Sequence, residues 1–199
     1  MTDIERRHLS EGLQLRALKG GGKTLTGYAA VFNSLSEDLG GFREIIRPGA
    51  FDRALRDRQD VRALVNHDSG QILGRTTSGT LRLFKDSRGL RYEVDLPDTT
   101  AARDVAESIK RGDITGSSFG FRTIADAWPK VDGAVKKREV IDLDLLDVSP
   151  VTYPAYAETQ VSLRARELAR GATVSAVGLF GFPKMRLRAE IAHLERLRV

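Results

Sequence analysis

The sequence predicts an α+β domain that is mainly β, followed by a basic helical tail. Three observations carry this. Short runs of alternating apolar and polar residues recur from Leu13 to Leu146. They are separated by Gly, Pro, Asp, Asn and Ser clusters of turn composition. Helical spacing is clear at residues 101–110 and again after Leu163.

A chain of 199 residues suffices for one domain with a sizeable core and is somewhat short for two. With 41% hydrophobic and 30% charged residues it has the composition of soluble globular proteins. The absence of cysteine excludes disulfides and thiolate metal sites. No apolar run in the sequence approaches a membrane span or a secretory core, so an intracellular, soluble protein is expected. The formal charge is +5, but its location matters more than its size. Residues 164–199 hold eight of the 32 Lys/Arg and three of the 27 acids, leaving 24 of each in residues 1–163. The body is therefore neutral and the tail carries the excess. A folded nucleic-acid surface is not indicated, although a basic tail can meet phosphate or an acidic partner.

Residues 13–18 and 24–32 are expected to be strands joined by a turn at Gly20-Gly21-Gly22. Asn33 to Gly41 reads as a polar loop and Phe42 to Ile46 as a strand stopped by Pro48-Gly49. Ala50 to Arg58 reads as a short helix. In Val61 to Asn66, Val61, Ala63 and Val65 share one face, which His67 continues at the edge of the loop Asp68-Ser69-Gly70. A histidine there can be structural, or a general base at the mouth of the core. His8 and His193 lie in charged terminal segments, which leaves His67 as the candidate base.

Strands follow at residues 72–76, 80–84 and 90–96, and Thr99 or Thr100 can cap a helix from Ala101 to Lys110 that Gly112 ends. The chain then enters the strand Gly116 to Phe121. Alternation places Thr115, Ser117, Phe119 and Phe121 on one side, and Gly116, Ser118 and Gly120 on the other. The first side resembles core. The second presents one hydroxyl between two residues without side chains, which suits an exposed nucleophile. Bulge glycines with space-filling serines give the same pattern. Beyond a turn at Val131-Asp132-Gly133, alternation in Val135 to Leu146 groups Ile141, Leu143 and Leu145 with Asp147, and leaves Asp142 and Asp144 to solvent. A carboxylate on an apolar face needs a partner, either a nearby arginine or cap, or an imidazole N–H. The tail, with Leu187, Ile191, Leu194 and Leu197 at helical spacing, can pack on the domain or serve as an interaction segment.

A serine, a histidine and an acid at such places suggest a serine hydrolase. The Gly-x-Ser-x-Gly elbow of an α/β-hydrolase joins a strand to a helix, whereas Gly116-Ser117-Ser118-Phe119-Gly120 follows a helix and enters a strand.

Between Gly27 and Thr159 the chain resembles the tailed-phage prohead proteases, which are related to herpesvirus assemblins. The resemblance rests on Arg47-Pro48-Gly49-Ala50-Phe51, Asn66-His67-Asp68, Leu73-Gly74-Arg75, Arg111-Gly112-Asp113-Ile114, Ser118-Phe119-Gly120-Phe121 and Asp147-Val148-Ser149-Pro150-Val151-Thr152-Tyr153-Pro154-Ala155. It implies a closed mixed β-barrel of about six to eight strands with peripheral helices. Residues 1–163 are read as the catalytic domain, and 164–199, which lie outside the resemblance, as a basic helical tail. The resemblance implies Ser118 as nucleophile, His67 as base and Asp147 as third catalytic member. The family commonly has a glutamate near this third position, so Ser149 and Asp68 stand as substitutes. Backbone N–H groups or Arg75 are the oxyanion candidates.

No cofactor or metal is implied. The expected substrates are scaffold, an N-terminal piece of the major capsid protein and the protease itself, cut inside the assembling prohead in the host cytoplasm. A homo-oligomer is compatible with this reading; no membrane and no direct nucleic-acid partner are expected. The tail is read as a capsid-targeting, scaffold-binding or self-cleaved extension. A non-catalytic assembly module of the same fold is the alternative. A nucleic-acid-binding β-barrel is weakened by the neutral body and by aromatics on the core side of the Ser118 strand.

Overall fold

The computed structural model describes residues 3–10, 12–17, 22–129 and 136–153. The expected turn at 131–133 and the tail at 164–199 lie outside them, as does most of the 20–22 turn. Ten strands and two helices are present among the described residues. The mixed sheet runs β1 (Glu5–Leu9), β9 (Gly116–Ala127), β10 (Lys136–Val151), β5 (Arg62–Val65) and β6 (Asp68–Arg75), with β4 (Phe42–Ile46) also on β10. The second sheet runs β2 (Gln14–Ala17), β3 (Lys23–Val31), β8 (Gly89–Asp95) and β7 (Leu81–Lys85), all antiparallel.

The mainly β expectation agrees with this architecture, but the closed barrel does not. Among the described residues no ladder joins β1 or β6 to β2 or β7, so there are two open sheets. The sheets meet face on face instead of edge to edge. A side chain added at Gly74 of β6 would run into the Val94 methyl of β8. Likewise the buried Tyr92 hydroxyl of β8 meets Ser117 Oγ of β9 at 2.8 Å. Apolar residues of both sheets, including Leu25, Leu81, Val94, Phe119, Phe121, Leu143 and Val148, form one core.

α1 (Asp52–Arg56) is shorter than expected because turns occupy its flanks, Arg58 adopting a positive φ of 50°. α2 (Thr100–Arg111) matches its sequence signals. The Thr99 hydroxyl accepts from Ala102 N, Val105 is buried, and Gly112 closes the helix at φ 85°.

β10 is the spine. It pairs along one edge with β9, and on the other with β4 and then β5, both in parallel. Asp142 and Asp144 are not left to solvent: Arg53 of α1 binds both at 2.8–3.1 Å, and Gln59 also reaches Asp144. A register shift between Val140 and Asp142 turns Ile141 outward to 45% exposure, while Leu143 stays buried.

β1 is fastened by a buried ionic network. Arg7 bonds Glu44 and Glu5, and Arg138 bonds Glu5, Glu44 and Asp126 at 2.5–3.1 Å. Burial pushes the Glu5 carboxyl upward, but the Arg138 hydrogen bond and the charges of Arg7 and Arg138 outweigh it, bringing it from 4.5 to about 2. Because the folded-state value is depressed, the contribution of Glu5 is complete above about pH 4.5 and lost as pH falls towards 2. Glu5→Gln is therefore expected to flatten the acid limb of stability between those values, measured as denaturant midpoint against pH.

Candidate active site

His67 sits at the tip of the β5–β6 hairpin, where Val65 pairs with Asp68 across a two-residue loop. Asn66 and His67 have φ of 51° and 59°, as a type I′ turn requires. His67 therefore does not continue the extended face of β5 that alternation assigned to it; the turn lifts it over the sheet. Asn66 fastens the tip to the end of β10: its N–H donates to Pro150 O at 3.0 Å, its Nδ2 donates to Thr152 Oγ1 at 3.2 Å, and its Oδ1 accepts from Thr152 N at 2.9 Å. Asn66→Ala is expected to destabilise the fold by about 1 kcal/mol more than Asn66→Gly. Both lose the side-chain bonds, but only alanine opposes the positive φ. Chemical denaturation of the two variants checks this ordering.

Ser118 lies on β9 and faces away from the core, as alternation predicts. Phe119 and Phe121 are buried on the opposite face, and Ser117 is occupied by Tyr92. The flanking glycines are explained by this chain itself. A side chain at Gly116 would meet the Leu9 carbonyl of β1, and one at Gly120 would collide with the Asp147 carboxylate.

Asp147 reaches that position through a bulge. Leu145 pairs with Phe121 and Asp147 with Gly120, so Leu146 is an extra residue in β10. Uninterrupted alternation would have turned Asp147 to the core side with Leu145. The bulge sets it on the Ser118 side instead, and two residues on Ser149 pairs with Ser118 on that same side.

Three elements thus converge. Ser118 Oγ donates to His67 Nε2 at 2.7 Å, and His67 Nδ1–H donates to Asp147 Oδ1 at 2.5 Å. Ser149 Oγ, fully buried, donates to the same carboxylate oxygen at 2.7 Å. Ser149 therefore supports the acid instead of replacing it. Asp68 turns away to cap its own loop through Gly70 N and Gln71 Nε2. Arg75, the side-chain oxyanion candidate, is held by Asp60 through two bonds at 2.6–2.7 Å. Chemically, the order hydroxyl, imidazole, carboxylate lets Nε2 accept the serine proton while the acid fixes the tautomer that leaves Nε2 free.

Ser118 and His67 open into a cleft of about 800 Å³ whose mouth carries the exposed apolar side chains of Ile4, Leu35 and Tyr153. In sequence Ser149 stands only as a substitute for the acid, and the roles of Asn66 and Gly120 are not apparent from local pattern. Signals existed: an asparagine before the histidine suits a type I′ turn, and a glycine two residues after the serine leaves room for a carboxylate. Among the described residues no group of three or more His, Asp or Glu side chains is arranged to hold a metal ion, and no helix is long and apolar enough to cross a membrane.

Comparison with known proteins adds family and fold. The family model described as caudovirus prohead serine protease matches residues 11–173. Among solved structures, the capsid assembly protease gp21 of bacteriophage T4 is similar, with a TM-score of 0.53 and 10% sequence identity, over 76% of this chain and 98% of that one. No curated protein sequence matches.

Proposed function

We propose, from the premise that this chain belongs to the caudovirus prohead serine protease family, that Ser118 is its nucleophile, His67 its general base and Asp147 the carboxylate that orients the base. The protein is a serine endopeptidase with a role in capsid maturation. The observation that supports the residue assignment is the relay from Ser118 Oγ through His67 to Asp147, with bonds of 2.7 and 2.5 Å.

As Ser118 Oγ attacks a peptide carbonyl carbon, its proton passes to His67 Nε2. The tetrahedral intermediate then collapses, and His67 hands that proton to the departing amine, leaving an acyl ester on Ser118. Water enters, His67 takes its proton, and hydrolysis of the ester restores the serine. Asp147 holds the imidazolium formed in each half-reaction, and Ser149 holds Asp147. The bonds linking Asn66 to Thr152 and Pro150 keep the hairpin tip over β10 while this happens.

The substrates in this reading are the scaffold, an N-terminal segment of the major capsid protein, and the protease's own tail at 164–199. The tail lies C-terminal to Tyr153, which lines the cleft, and its net positive charge would suit an acidic partner. Co-expression of the full chain with capsid protein and scaffold, followed by intact-mass measurement, tests this. Truncated capsid and scaffold chains, and loss of the tail from the protease, are expected with wild type and absent with Ser118→Ala. Intact substrates with wild type would refute the substrate assignment.

A further inference from the structure

The edge of β9 that carries Ser118 is not free. β1 pairs along it in antiparallel register, with Arg6 opposite Gly120, His8 opposite Ser118 and Leu9 opposite Ser117. β1 lies ahead of residue 11, where the family match begins, so this strand is outside the matched region. Directly opposed residues of an antiparallel pair project to the same face, with Cβ atoms about 5 Å apart. Glu5 and Arg7 accordingly point to the Phe119 and Phe121 side, where Arg7 lies over the Phe121 ring at 5.4 Å and both residues join the ionic network. His8 points to the other side, beside the nucleophile.

His8 lines the same cleft as Ser118 and His67, half-buried. Its ring makes no hydrogen bond or ion pair among the described residues, in a site where Ser118, His67, Asp147 and Ser149 are all engaged. Burial and the neighbouring Arg7 charge lower its pKa, against a smaller opposing pull from Glu37, so the ring is neutral near pH 7. A neutral imidazole offers one N–H donor and one nitrogen acceptor at fixed separation. Such a pair fits an amide or hydroxyl side chain. It fits a carboxylate less well, because charging the ring runs against both burial and Arg7.

We propose that His8 is a specificity-determining residue, contributed to the substrate cleft by the N-terminal strand, which hydrogen-bonds a neutral polar side chain (Asn, Gln, Ser or Thr) of the substrate next to the scissile bond. This rests on Ser118 being the nucleophile. The ionic network supplies the rigidity the role needs: Glu5 and Arg7 tie β1 to β4 and β10, so His8 is presented by a fixed strand and not by a loose terminus.

The test is digestion of a degenerate synthetic peptide library by the full-length protein, with products sequenced by mass spectrometry, for wild type, His8→Ala and His8→Gln. Thermal unfolding and fluorophosphonate labelling confirm that each variant is folded and carries a reactive serine. Wild type is expected to prefer Asn, Gln, Ser or Thr at one position flanking the cut. His8→Ala should lose about 10-fold in kcat/KM for such peptides, the worth of one hydrogen bond, and little for peptides with Leu or Val there. His8→Gln, which keeps a donor and an acceptor, should retain most of the preference.

An unchanged cleavage profile in His8→Ala overturns the proposal while leaving the Ser118 mechanism intact. So does faster cleavage by His8→Ala or by a chain lacking residues 1–9, which would make β1 a restraint on the site. Absence of both labelling and cleavage in wild type would instead overturn the catalytic assignment, and this proposal with it.

Discussion

Asp147→Asn is expected to lower kcat by about 10⁴-fold with KM little changed. The loss is one of tautomer. Asp147 Oδ1 accepts both the His67 Nδ1–H and the Ser149 hydroxyl, at 2.5 and 2.7 Å. A side-chain amide is nearly isosteric, so the fold and the cleft should survive. If the amide nitrogen faces His67 it donates a hydrogen to Nδ1, which forces the ring proton onto Nε2. The nitrogen that should accept from Ser118 then carries a hydrogen, and the imidazolium formed in each half-reaction loses its counter-charge. Ser149→Ala, which removes only the bond behind the acid, should cost far less. Steady-state kinetics on a peptide spanning a mapped cleavage site measures both.

Gly120→Ala carries the second largest expected effect, about 10²-fold or more in kcat, although residue 120 touches no substrate in this account. Asp147 pairs with Gly120 across the ladder, and its carboxylate occupies the space an alanine methyl would need. The strand backbone cannot yield without disturbing Phe119 and Phe121, which are buried on the other side. The carboxylate must therefore move, and the imidazole loses its orientation. Overpacking of this kind also destabilises by roughly 1–3 kcal/mol. Combining Gly120→Ala with Asp147→Asn separates the two effects. If the glycine acts through Asp147, the double variant should be little slower than Asp147→Asn alone.

These two residues also show how far the sequence could be read. Strand alternation was sufficient for β9: it separated Ser117 from Ser118 and put the aromatics in the core, because that half of the strand has no interruption. The boundaries of β4, β7, β8 and α2 were equally legible from turn residues and the Thr99 and Gly112 caps. Alternation failed at Asp147 and His67, and for the same physical reason. Each lies where the backbone leaves regular geometry, Asp147 after the Leu146 bulge and His67 within a positive-φ turn. Both stand out in the sequence as polar residues on an apolar face, and both are placed by a geometry that alternation does not describe.

The sheet topology was less legible still. A closed barrel and two stacked open sheets require the same short amphipathic strands. What distinguishes them is whether edge strands meet in a ladder, a long-range pairing that local pattern does not encode. Tertiary partners were hidden for a similar reason. Asp142 and Asp144 read as solvated in sequence, whereas Arg53, some ninety residues earlier, binds both. His8 reads as part of a charged terminus in sequence, whereas β1 runs beside Ser118 in the fold.

The proposed relay requires Ser118 to be the one activated hydroxyl among Ser117, Ser118 and Ser149. Labelling the purified chain with a fluorophosphonate and mapping the adduct by peptide mass spectrometry measures this directly. A single adduct on Ser118 is expected in wild type, with labelling suppressed in His67→Ala and unaffected in position by Ser117→Ala. An adduct on Ser117 or Ser149, or labelling of Ser118 that proceeds equally fast without His67, would contradict the relay.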